Sequence, residues 1–223
     1  MIRAFIFDFD GLILDTETVW YEVYQEILKK HYNIVLPIEE FLKCVGADDS
    51  SLQAYLREEL DMAVDIQQIK QQTSELHRER IQSVDACLGV RELIEAAYNK
   101  GLKIVLATSS TTEWVTTHLN NLNLLDYFDH LVTRDHVEFV KPAPDLYEKA
   151  LEVLGIQASE AIVFEDSLNG LLAAKKVGLP TVIVPNPVTE SLPFENYDLK
   201  LASLSEMPCD ELLDYFQHER VGK

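Results

Sequence analysis

Asp8 and Asp10 stand two residues apart where the apolar run Phe5-Ile6-Phe7 stops. In an extended chain, residues i and i+2 point to the same side, so the two carboxylates emerge together, with Phe9 turned away. Gly11 then permits a sharp turn. Two neighbouring anions raise each other's pKa unless a cation lies between them. A hard divalent ion with oxygen ligands is the simplest such cation. Taken alone, the spacing equally suits a strand-end turn, where Asp bonds to nearby backbone. With 38 acidic residues among 223, an Asp-x-Asp pair by itself carries little information.

Three further segments change that balance. Thr108-Ser109-Ser110 ends the apolar run that begins at Lys103, and Glu165-Asp166-Ser167 ends Ala161-Ile162-Val163-Phe164. Lys141 lies in the loop before a helix that starts near Pro144. Asp8 or Asp10 with Glu165 and Asp166 offers carboxylate oxygens for Mg²⁺, while Thr108, Ser109 and Lys141 offer donors to an anion. Metal, lysine, hydroxyl and helix N-terminus together make a phosphoryl-binding set. Each piece also has a plainer reading. Thr108 to Ser110 would cap the next helix, with Ser110 and Glu113 at capping-box spacing. Glu165-Asp166 would be a turn, and Lys141 a solvated lysine. Trp20 and Trp114 fall on helical apolar stripes and read as core, and the six histidines read as surface or packing residues.

The elements that must position these groups divide the chain in two. Residues 16–85 show helical periodicity and no strand signal, beginning with Trp20, Val23, Tyr24, Ile27 and Leu28 at spacings of three and four. From Gly89 onward, helices alternate with short β-rich runs, notably 103–107, 131–133, 161–164 and 181–184. That alternation predicts an α/β fold with a parallel, doubly wound sheet. The expected organisation is a core of residues 1–15 and 86–223 interrupted by an all-helical module, 16–85. In such sheets ligands bind outside the carboxyl ends of the strands, which is where all four polar segments fall.

A formal net charge of −19 excludes a general affinity for nucleic acid backbones, and anionic membrane surfaces are equally disfavoured. An anionic substrate would need local positive charge to enter such a field. Cys44, Cys87 and Cys209 are dispersed, with neither disulfide nor zinc-binding spacing. No apolar run approaches the roughly 18 residues of a membrane span, and a cytoplasmic enzyme is expected. The pattern carries no mark of oligomeric state.

The stretches DFDGLILDTE, LATSS, VKPAPD and VFEDSLNG, in that order, resemble the four motifs of the haloacid dehalogenase superfamily. Within it, the chain is most similar to the β-phosphoglucomutase and phosphoglycolate phosphatase-like group, whose helical cap follows the first motif. The resemblance implies that Asp8 is a nucleophile forming an aspartyl-phosphate, and that Asp10 is the general acid and base. It implies that Thr108, Ser109 and Lys141 bind the phosphoryl group. Mg²⁺ would be held by Asp8, the Asp10 backbone carbonyl and Asp166, with Glu165 in or beside the shell. Substrate choice would fall to the cap loop, Val45, Gly46 and Ala47. Mutases of the group carry an arginine in that loop and a histidine after the first motif; Ala47 and Trp20 stand at those places here. The expectation is a phosphatase of small phosphorylated metabolites or sugar phosphates, with a phosphosugar mutase as the alternative. A non-catalytic binding protein of the same fold is a remote third reading, against which the intact acidic and lysine positions argue.

Overall fold

The computed structural model describes residues 1–45, 50–59 and 65–218. Six strands form one sheet: β1 (Ala4–Phe7), β2 (Lys103–Ala107), β3 (His130–Val132), β4 (Ala161–Glu165), β5 (Thr181–Ile183) and β6 (Leu199–Lys200). Their spatial order is β3-β2-β1-β4-β5-β6, and every neighbouring pair is parallel. β1 therefore lies inside the sheet, paired with β2 on one side and β4 on the other, with Phe7 opposite both Leu106 and Phe164. This register brings the carboxyl ends of three strands level.

Alternation along the strands builds two separate cores. Phe5 and Phe7, Ile104 and Leu106, and Ile162 and Phe164 point to one face, covered by α5 (Val90–Asn99), α6 (Thr112–Asn121) and α9 (Cys209–His218). There Phe7 stacks on Phe164 with centroids 4.7 Å apart. Ala4, Ile6, Val105, Ala107, Ala161 and Val163 point to the other face, against α7 (Asp145–Leu154) and α8 (Leu168–Val177). Strands buried on both faces read as continuous apolar runs, which is why they were visible as strands in the sequence.

Between β1 and α5 come α1 (Thr16–Tyr32), α2 (Ile38–Leu42), α3 (Ser50–Glu59) and α4 (Ile66–Ile81). They share a third apolar cluster, including Tyr24, Leu28, Phe41, Leu52, Leu56 and Ile69. Asp15 and Asp65 accept N–H bonds at the starts of α1 and α4. Where the chain returns, the Cys87 N–H donates to the Ile13 carbonyl at 2.9 Å, so the outgoing and incoming segments run side by side. The layer also touches the sheet region at its far end, where the Asn169 side-chain amide donates to the Val45 carbonyl.

Two local expectations need correction. The N-cap of α6 is Thr111, not Ser110, and Ser110 turns instead into the cleft described below. β6 is an additional strand, too short for its pattern to stand out.

Candidate active site

β1, β2 and β4 end beside one another, and their polar termini line a cleft of about 850 Å³ between the sheet and α1–α4. Asp8, Asp10, Thr108, Ser109, Lys141 and Asp166 all reach it, so segments far apart in sequence converge. Val45 lines the opposite wall with Trp20, Tyr24 and Phe41. Gly46 and Ala47 lie outside the described residues.

Lys141 is the electrostatic hub. Its ammonium group is buried between Asp8, at 2.5 Å from Oδ1, and Glu165, at 2.7 Å from Oε1. Burial opposes the lysine charge, but the two carboxylates more than compensate and hold its pKa above the ordinary value. Glu165 is fully buried and engaged at both oxygens: the Tyr147 hydroxyl and Lys141 meet Oε1, and the Ser167 hydroxyl meets Oε2 at 3.1 Å. Ser167 at the same time caps α8, accepting from the Gly170 N–H at 3.0 Å. A Cβ at Gly170 would lie 1.9 Å from the Glu165 carboxylate, so the absence of a side chain there makes room for Glu165.

Asp166 completes an acidic cluster with Asp8 and Glu165, one oxygen of each lying within 4.8 Å of the others. Its Oδ2 accepts from the Asn186 side chain at 2.7 Å, while its Oδ1 is buried with no hydrogen-bond partner among the described residues. Gly11, at φ +82°, passes so close that a Cβ would fall 2.1 Å from Asp166 Oδ2. Burial raises Asp166 well above the usual carboxylate range, helped by Asp8 and Glu165. Burial likewise pushes Asp8 up to about 7; Lys141 pulls it down and Glu165 pushes it further up. Glu17, on the first turn of α1, also lines the cleft and is raised to about 8 by desolvation and by Asp10, Asp8 and Asp15. Crowded carboxylates with an unpartnered oxygen are the donor set of a hard divalent cation, and Mg²⁺ fits it.

Ser109 Oγ, at the end of β2 beside Thr108, is also buried without a partner among the described residues. Thr108 Oγ1 accepts from the Ser110 N–H at 3.1 Å, giving the turn its local shape. Asp10 is held differently from Asp8. The Ser110 hydroxyl donates to Oδ2 at 2.5 Å, and the Trp114 indole N–H donates to Oδ1 at 3.0 Å. Trp114 is therefore not simply core. Glu17, Tyr147 and Asn186 meet these groups without having been singled out in the sequence, and Ser110 and Trp114 bond to Asp10 where the sequence suggested a helix cap and a core residue. Asn186 follows β5, so the strand-end rule already contained its signal, and Glu17 belongs to the DTE string of the first motif.

Comparison with known proteins agrees with this arrangement. The sequence profile of the haloacid dehalogenase-like hydrolases matches residues 5–184. YhcW of Bacillus subtilis (strain 168), named as a putative phosphatase, is 45% identical over 220 residues, 98% of this chain and 100% of its own. The phosphorylated carbohydrates phosphatase of Thermotoga maritima is 32% identical over 187 residues, covering 81% of this chain and 84% of its own. Among solved structures, CbbY from Rhodobacter sphaeroides in complex with phosphate superposes with a TM-score of 0.70 at 26% identity, covering 92% and 96% of the two chains. With its parallel sheet, its acidic strand ends and a matching profile over most of its length, the chain belongs to the haloacid dehalogenase-like hydrolases.

Proposed function

We propose that the protein is a Mg²⁺-dependent phosphatase that cleaves monoesters of sugars or other small phosphorylated metabolites through an aspartyl-phosphate at Asp8. In this reading, helices within 16–85 form a cap over a catalytic core of residues 1–15 and 86–223. The observation that carries it is the pairing of Lys141 with Asp8 and Glu165 while Asp166 Oδ1, in the same buried cluster, lacks a partner. A site built only for stability would leave no such acceptor buried and unmet. The relatives named for phosphatase activity, one on phosphorylated carbohydrates, support the substrate class.

Asp8, Asp166 and the Asp10 backbone carbonyl would hold Mg²⁺, with Glu165 beside them chiefly seating Lys141. The ion supplies charge neutralisation where an anionic nucleophile meets an anionic phosphoryl group. Asp8 attacks phosphorus and the ester P–O bond breaks, leaving a covalent acyl phosphate and a departing alkoxide. Thr108, Ser109 and Lys141 hold the phosphoryl oxygens, with Ser109 Oγ free to donate. Asp10 gives its proton to the alkoxide, then takes one from the water that attacks the phosphorus and returns Asp8 to its free form. Trp114 Nε1 can only donate, so Asp10 Oδ1 is committed as an acceptor and the transferable proton sits at Oδ2, where the Ser110 hydroxyl, which donates to the ionised form, turns to accept.

Phosphate release by the purified protein, with and without Mg²⁺, across a panel of sugar and polyol phosphates tests the reading. Mg²⁺-dependent free phosphate that disappears in Asp8→Asn is expected. Interconversion of β-glucose 1-phosphate and glucose 6-phosphate with little free phosphate would instead identify a mutase.

A further inference from the structure

The chain has two tryptophans, and both belong to one ladder of rings that joins the helical layer to Asp10. Trp20 on α1 lies face to face on His77 of α4, with centroids 3.8 Å apart and planes 9° from parallel. His77 in turn faces Trp114 of α6 at 6.0 Å and 26°. Trp114 packs edge-on against His118 at 4.1 Å, and its indole N–H donates to Asp10 Oδ1. His77 is buried and hydrogen-bonded to the Thr16 backbone at the start of α1, its Nε2 has no partner among the described residues, and burial lowers its pKa to about 4. It sits there as a neutral flat ring between two indoles, with one ring nitrogen serving no polar contact. The bond to Thr16 anchors the ring to α1, and the flat face, which that bond does not require, spans from Trp20 to Trp114.

We propose that Trp114 is a positioning residue for Asp10, and that the helical layer sets it through His77, whose ring seats the indole so that its N–H meets Oδ1. The proposal rests on the reading of Asp10 as the acid and base. Its physical content is that Asp10 has two donors from α6 and its approach, and one of them is a side chain whose plane is fixed from the other side of the cleft. Displacing α4 from α6 frees the indole and, with it, one oxygen of Asp10. Catalytic readiness is thereby tied to the seating of the layer over the cleft.

The test is steady-state kinetics with Mg²⁺ on the best substrate from the panel. Trp114→Phe keeps a ring and loses the N–H, and kcat is expected to fall about tenfold or more, as befits a lost bond to a charged group, with KM little changed. His77→Leu keeps apolar volume and loses the flat ring; a comparable fall in kcat is expected, restored towards wild type in His77→Phe. The double variant should be little worse than either single one, because both act through the same bond. Should Trp114→Phe not fold, the His77 pair carries the same test from α4. A kcat for Trp114→Phe within twofold of wild type, or His77→Leu as active as His77→Phe, overturns the positioning role when Asp10→Asn is inactive. Full activity in Asp10→Asn overturns the acid–base reading and the positioning role with it.

Discussion

Lys141 brings a positive charge into the buried acidic cluster. A chain of net charge −19 repels anions, yet this one buried ammonium is placed between two carboxylates at the cleft floor. Removing one partner of a buried ion pair strands the other, at a cost of about 3–5 kcal/mol. Lys141→Met is therefore expected to abolish phosphate release and to lower the unfolding free energy by roughly that amount at pH 8, measured by urea titration of metal-free protein. At pH 6, below the wild-type Asp8 pKa of about 7, the carboxyl is protonated with or without Lys141, and the loss should shrink. An equal loss at both pH values would mean that packing, not charge, is what Lys141 supplies.

Among the elements, the strand ends at β1, β2 and β4 were the most legible part of the site. A continuous apolar run that stops at Asp, Thr or Glu is a local signal, and parallel pairing guarantees that such ends meet. Ser110 and Trp114 were misread because their local signals are genuine but common: hydroxyls before helices usually cap, and tryptophans on apolar stripes usually pack. Their bonds to Asp10 span 100 and 104 residues of sequence, a separation that no windowed pattern reaches. For Glu165 the strand-end position was visible, but its bonds to Tyr147 and Ser167, only 18 and 2 residues away, depend on packing rather than on a sequence pattern. Its seat depends on α8 beginning with a glycine in its first turn. Gly170→Ala would drive a Cβ into the Glu165 carboxylate, breaking its contacts to Lys141 and Tyr147. A loss of about 1–3 kcal/mol in stability and a reduced kcat are expected. Gly101→Ala, where φ is +75° but nothing lies within 4 Å of the new atom, should weaken folding through backbone strain while leaving kcat alone. Equal activity in the two variants would remove Glu165 from the account of the site.

For the molecule as a whole, the crowded cleft couples folding to protons and to metal. Asp8 moves from 3.8 to about 7 and Glu17 from 4.5 to about 8, so the native state binds more protons than the unfolded chain between these values. Stability of the metal-free protein must then fall as pH rises through about 7 to 8, and Tm should be higher at pH 6.5 than at pH 8.5. His77, depressed from 6.5 to about 4, acts in the opposite direction only at lower pH, as the unfolded chain gains that proton first. Saturating Mg²⁺ should raise Tm more at pH 8.5 than at 6.5, because it competes with protons for the same oxygens. A metal-free Tm that climbs between pH 6.5 and 8.5 would show that these carboxyls are not crowded in solution. No described helix is long and apolar enough to cross a membrane, as the sequence had suggested.

The central claim is that Asp8 takes the phosphoryl group. Its most direct test is rapid acid quench of enzyme turning over a ³²P-labelled substrate with Mg²⁺, followed by peptide mapping of the trapped label. Acid-stable, base-labile label is expected on the peptide carrying Asp8, absent in Asp8→Asn and accumulating in Asp10→Asn. Full turnover with no label on the protein, or label on another residue, would contradict it.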